Sequence, residues 1–114
     1  MKKVLITGAT GFIGHHIVKA NVSKGNRVRA LVLPGDAGEA GLKAQGVEIV
    51  NGDIRDYEAV RRAVGDVDII FHTAAVVTDW APKKLFWEVT VGGAENICRA
   101  AVDAKVSRLV DIST

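Results

Sequence analysis

Three glycines, Gly8, Gly11 and Gly14, stand three residues apart in the segment TGATGFIGHH, directly after the apolar run VLI. Glycines at that spacing clear side chains from one short stretch of backbone. A phosphate can then approach free N–H groups, and a following helix can lie close on the preceding strand. Other residues with chemical potential are few. Asp53 closes an apolar run in NGDI, and His72 with Thr73 closes another in FHTAA. His15 and His16 are adjacent, and adjacent helical positions diverge by about 100°, so they are expected to pack or meet solvent rather than hold a metal. Cys98 is the only cysteine, which excludes an internal disulfide and fits a reducing compartment. Its helical, apolar setting in ENICRAAV leads us to expect a buried structural thiol. Trp80 and Trp87 are expected as core or rim aromatics.

The elements that must carry these residues alternate. KVLITG reads as a buried strand, and Phe12 to Lys24 has apolar residues at helical spacing, with Gly25 as its stop. RVRALVL is a second strand closed by the turn pair Pro34-Gly35. AGEAGLKAQG is a weak helix, because Gly38 and Gly41 each cost about 1 kcal/mol against alanine. VEIVNGD is a third strand, and DYEAVRRAVG a short helix with Asp56 as N-cap and Gly65 as stop. VDIIFHTAA is a fourth strand, Pro82 to about Lys105 a long helix, and SRLVDIS a fifth strand. Strand–helix alternation requires crossover connections. The expected fold is therefore α/β: a doubly wound parallel sheet of five strands in order 3-2-1-4-5, with helices on both faces. Its ligand site belongs outside the carboxyl ends of strands 1 and 4, where the strand order reverses and where the three glycines fall.

The chain has 114 residues, enough for one domain with one core. It is 48% hydrophobic and 25% charged with a formal net charge of +2, too small and too scattered to point to nucleic acid. No apolar run approaches the roughly 18 residues of a membrane span, and the basic-then-apolar N-terminus is broken by Thr7 and Gly8. A cytoplasmic protein is expected.

TGATGFIGHH resembles the N-terminus of the extended short-chain dehydrogenases/reductases, the family of sugar-nucleotide epimerases and dehydratases, 3β-hydroxysteroid dehydrogenases and dihydroflavonol reductases. NGDI, FHTAA, FWEVTVGGAENICRAA and RLVDIST resemble later blocks of that family in the right order. The resemblance implies a Rossmann domain over residues 1–114 that binds a nicotinamide dinucleotide. Gly8, Thr10, Gly11, Phe12, Ile13 and Gly14 would surround the pyrophosphate and adjoining riboses. Asp53 would accept from the adenine amine, with Ile54 packing on the ring. Thr73, Ala74 and Ala75 would line the path toward the nicotinamide. His72 is expected to be a satisfied, partly buried histidine.

Cofactor choice turns on the end of strand 2, where NAD calls for an acid and NADP for a basic residue. Many relatives carry arginine where this chain has Leu33, and Asp36 is the nearest acid, so the balance favours NAD. Thr90 replaces the family's usual asparagine, which alters the polar contacts expected under the nicotinamide half. Thr114 falls at the position where the family delivers a substrate-binding Ser or Thr. The Tyr-x-x-x-Lys pair found further downstream in the family is not in this sequence, since its one tyrosine, Tyr57, has Arg61 four residues on. The expectation is thus a cofactor-binding part without its substrate domain, inactive alone. The alternatives are a small dinucleotide-sensing module, or an oxidoreductase completed by a partner chain. Self-association through the strand 5 edge or the last helix, where Phe86, Ile97 and Val102 lie, is also expected.

Overall fold

The computed structural model describes residues 1–73 and 83–112. Ala74, Ala75, Trp80 and Thr114 lie outside the described residues. The strands are β1 (Lys3–Thr7), β2 (Arg27–Val32), β3 (Glu48–Asn51), β4 (Ile69–His72) and β5 (Arg108–Asp111). Between them run α1 (Phe12–Ser23), α2 (Glu39–Ala44), α3 (Tyr57–Ala63), α4 (Lys83–Trp87) and α5 (Gly93–Asp103), with a π-helical turn at Glu88–Gly92 joining the last two. All pairings are parallel, and the order is β3-β2-β1-β4-β5.

β1 is central because it is apolar on both faces. Leu5 joins Leu31 and Ile70 in a core closed by Val60 of α3 and Ile97 of α5. Val4 and Ile6 join Val28 and Ala30 under Val18 of α1 and Leu42 of α2. This two-sided burial is what a central parallel strand requires. Among the described residues no helix is long and apolar enough to cross a membrane.

Local signals place most boundaries. Gly25 takes φ +79° after α1, and Gly35 takes φ +81° in the turn after β2. The Asp56 side chain accepts from the Glu58 amide and caps α3. Gly65 follows the Val64 C-cap of α3 as expected, and the left-handed residue is the next one, Asp66, at φ 62°. Other expectations need correction. The long last helix is interrupted by the π-helical turn, which accommodates an extra residue per turn and shifts the phase of α5. Cys98 is exposed, because Gly93, Ile97, Ala100 and Ala101 form the inward face of α5 and position 98 turns away from it. Ile97 is buried in that face, and Trp87 stands on the surface.

One charged side chain is built into the sheet. Arg29 of β2 is 11% exposed and pairs with Glu48 across the β2–β3 register. Its Nη1 donates to the carbonyls of Ala63 at 2.7 Å and Gly65 at 2.8 Å. The guanidinium thus satisfies orphan carbonyls at the C-terminus of α3, where a cation is also favoured by the helix dipole. The Glu48 carboxyl is held below its usual range chiefly by the hydrogen bond from Arg29, against the opposing effect of burial. Replacing Arg29 by Met is expected to destabilise the fold by about 2 kcal/mol, since buried acceptors lose a charged donor. Lysine, lacking the planar fork, should recover only part. Urea midpoints of R29M and R29K check this; a midpoint for R29M equal to wild type would refute it.

A second polar fastener joins β1 to β4 at their carboxyl ends. Thr7 Oγ1 lies 2.7 Å from His72 Nδ1, the Thr73 amide donates to Thr7 Oγ1 at 3.1 Å, and Thr73 Oγ1 donates to the Thr7 carbonyl at 2.6 Å. His72 is buried, and that burial lowers its pKa from 6.5, with Asp111 pulling the other way. The unfolded chain therefore takes up the proton first. The stability this neutral imidazole contributes is complete above about pH 6.5 and is lost as pH falls through the lowered folded value. Between about pH 7.5 and about pH 5, chemical denaturation should show stability falling more steeply for wild type than for H72Q. Equal slopes would mean that His72 does not govern this range.

Candidate functional site at the carboxyl ends of the strands

The glycine turn lies where β1 hands over to α1. Gly8 takes φ +67°, in the left-handed region that favours glycine. The Gly11 amide donates back to the Gly8 carbonyl at 3.0 Å, and the first helical bond runs from His15 N to Gly11 O at 2.9 Å. The next three amides, of Phe12, Ile13 and Gly14, open the helix, and no side chain caps it. A Cβ on Gly14 would lie 2.7 Å from the Gly8 carbonyl carbon and 2.9 Å from Ala9 Cα. Only glycine lets α1 descend this close to β1. The result is an uncapped helix end whose free N–H groups and positive dipole face the switch point of the sheet. Phe12 and Ile13 are exposed on either side, with the Phe12 ring edge-on to His16 at 4.9 Å.

The loop after β2 comes alongside. Leu33 is exposed and Asp36 half-buried, with the Asp36 amide donating to the Leu33 carbonyl at 3.1 Å to close the Pro34-Gly35 turn. Asp36 accepts from the Thr10 hydroxyl of the glycine turn and from the Gly38 amide. Asp36 thus ties the loop after β2 to the glycine turn.

The loop after β3 carries Asp53, Ile54 and Arg55. Asp53 Oδ1 accepts from the Arg55 amide at 2.9 Å, and Oδ2 pairs with Arg55 Nη2 at 2.6 Å. Those bonds hold the Asp53 carboxyl below its usual range. Arg55 also reaches Glu88 at 3.3 Å, fastening this loop to the π-helical turn. Ile54 is buried rather than standing open, because Gly93 at the start of α5 packs on it; a Cβ on Gly93 would come within 3.0 Å. The Ile54 carbonyl accepts from Asn96 Nδ2 at 2.9 Å. Thr90, inside the π-helical turn, has a buried hydroxyl with no hydrogen-bond partner among the described residues.

The fold thus brings Gly8, Thr10, Gly11, Phe12, Ile13, Gly14, Asp53 and Thr73 to one end of the sheet. Tyr57 stays apart: its hydroxyl donates to Asp103 and Arg99 sits over its ring at 4.1 Å. The bond to Asp103 raises its pKa, the opposite of what a proton-exchanging tyrosine needs. The Thr10–Asp36 bond and the Arg55–Glu88 pair were not anticipated. Neither has a sequence signal, since 26 and 33 residues separate the partners.

The model of the NAD dependent epimerase/dehydratase family matches residues 4–114. The chain is 36% identical over 119 residues to cinnamoyl-CoA reductase 1 of Arabidopsis thaliana, covering 99% of this chain and 34% of that protein. It is 31% identical over 112 residues to a dihydroquinoline-oxide ketoreductase of Stigmatella aurantiaca, covering 98% and 33%. Among solved structures it is similar to a short-chain dehydrogenase/reductase superfamily protein from Agrobacterium tumefaciens with bound NAD. That match has a TM-score of 0.82 and 30% identity over 98% of this chain and 32% of the other. The WbmH enzyme of Bordetella bronchiseptica in complex with NAD+ superposes with a TM-score of 0.79 and 30% identity, over 96% and 38%. The chain therefore spans about a third of the length of the curated relatives it matches. With five parallel strands in the order expected and a family match across nearly all its residues, this chain belongs to the NAD-dependent epimerase/dehydratase family.

Proposed function

We propose that the chain binds a nicotinamide dinucleotide across the carboxyl ends of its strands, as the cofactor-holding part of an NAD(P)-dependent oxidoreductase or epimerase acting on a hydroxyl- or carbonyl-bearing substrate. The observation that carries this reading is the uncapped start of α1 above Gly8, Gly11 and Gly14. Its three open amides suit a pyrophosphate, which needs donors and no side chain in the way. The residues present fit the rest of the cofactor too. Asp53 offers a carboxylate beside the β3 loop, with Ile54 backing that surface from the core. Thr73 is fixed to Thr7 at the carboxyl end of β4, and the family resemblance would give it, with Ala74 and Ala75, the nicotinamide side of the cofactor. Two relatives are named as reductases, and two similar structures hold NAD.

The bound dinucleotide would supply hydride exchange, and this chain's residues would hold and orient it. Thr114 is assigned to the substrate oxygen by its place after β5. Proton exchange falls to a group other than Tyr57, which is committed to Asp103. NAD is favoured over NADP, because Asp36 stands at the end of β2 and Leu33 replaces the arginine that a 2′-phosphate calls for. A ligand that binds only the folded chain raises its melting temperature, by about 2.7 kcal/mol of stability at a hundredfold excess over Kd. NAD should give a saturable rise, NADP a smaller one, and Gly14→Ala should abolish both by forcing the turn open. A folded wild-type chain that shifts with neither would sink the proposal.

The surface of α4 and α5 supports the expected self-association. Trp87 and Val102 are 60% and 76% exposed on this segment. Sedimentation should show a concentration-dependent dimer that Val102→Glu weakens; a strict monomer at every concentration would rule it out.

A further inference from the structure

One side-chain hydrogen bond ties the loop after β2 to the glycine turn after β1. The Thr10 hydroxyl donates to Asp36 Oδ2 at 3.0 Å, while the Gly38 amide donates to Oδ1 at 2.8 Å. The two loops lie side by side because β1 and β2 are neighbours in register, with Thr7 opposite Leu31. Their approach is close: a Cβ on Gly38 would stand 2.5 Å from Thr10 Cγ2. Glycine at 38 therefore serves the contact with Thr10, although glycine weakens the adjoining helix α2.

The charge on Asp36 differs from that on the acids around it. Glu39 pairs with Lys43 at 3.7 Å, and Asp53 pairs with Arg55 at 2.6 Å. Among the described residues Asp36 has no cation against it, and both its oxygens are held by neutral donors. Its negative charge is thus uncompensated at the edge of the glycine turn. A ribose 2′-hydroxyl can donate to such a carboxylate, whereas a 2′-phosphate is repelled by it. The direction of that charge is set from the other loop. The Gly38 amide holds Oδ1 within its own loop, and the bond from Thr10 ties Oδ2 to the glycine turn.

We propose that Thr10 is a positioning residue for cofactor choice: its hydroxyl, donated to Asp36 Oδ2, holds the carboxylate where it accepts a free 2′-hydroxyl and repels a 2′-phosphate. This inference rests on the dinucleotide reading above and extends it to a residue that acts through another.

The test is calorimetric titration of wild type, T10V, T10S and D36N with NAD and NADP separately, with melting temperatures establishing that each variant is folded. Valine keeps the shape of threonine and removes the donor, and T10A carries the same test should T10V not fold. Wild type should prefer NAD. T10V should lower that preference about tenfold, the scale expected for one hydrogen bond to a charged group. T10S should retain the preference, D36N should lower it at least as far as T10V, and the T10V/D36N pair should go no further than D36N. A folded T10V with wild-type preference overturns the inference and leaves the dinucleotide reading standing. So does a wild type that prefers NADP, or a T10V that weakens both ligands equally. A wild type that binds neither overturns the dinucleotide reading and this inference with it.

Discussion

Everything at the carboxyl end of the sheet depends on how close α1 comes to β1. A helix normally rides above a sheet on a cushion of side chains. Here its first turn touches the strand's own exit, because position 14 presents no Cβ to the Gly8 carbonyl. That contact turns the start of α1 over the switch point with its amides uncovered. It also fixes where Thr10 points, and so where the β2 loop can dock. A single methyl group at residue 14 would lift the helix, and each of these relationships would change together.

The carboxyl end is braced by polar fasteners rather than by apolar packing alone. Thr7, His72 and Thr73 lock β1 to β4, and Arg55 bridges the β3 loop to the π-helical turn. Asn96 and Gly93 bring α5 onto Ile54. At the amino end Arg29 acts in a similar way, tying β2 and β3 to the end of α3. Loops that present polar groups can bury few apolar ones, and Ile54 is the buried anchor of the β3 loop. Hydrogen bonds between loops supply the rigidity instead.

Much of this was legible in the residues. The strand–helix alternation required a parallel sheet, and the double-sided apolar runs around Leu5 and Ile70 marked its centre. The glycine spacing marked the candidate site. Cys98 shows where such reading ends. Ile97, Ala100 and Ala101 close to it are apolar, yet a helix rotates about 100° per residue, and one position separates the buried Ile97 from the exposed thiol. The π-helical turn just upstream shifts that phase without any local sequence mark. Ile54 was likewise assigned a ligand-facing role by its place in the chain, and Gly93 draws it into the core.

By itself the sequence determined the fold class and marked a candidate site, because periodicity and glycine placement act over a few residues at a time. Only the tertiary structure decided which side chains meet. Thr10 with Asp36, Arg55 with Glu88 and Arg29 with the end of α3 are separated by tens of residues. Their pairing depends on sheet register and on helix phase, and neither is written at any one position. The physical reason is one of range: local propensity sets the elements, while the distances that give a carboxylate its direction or a histidine its neutral form arise once those elements pack.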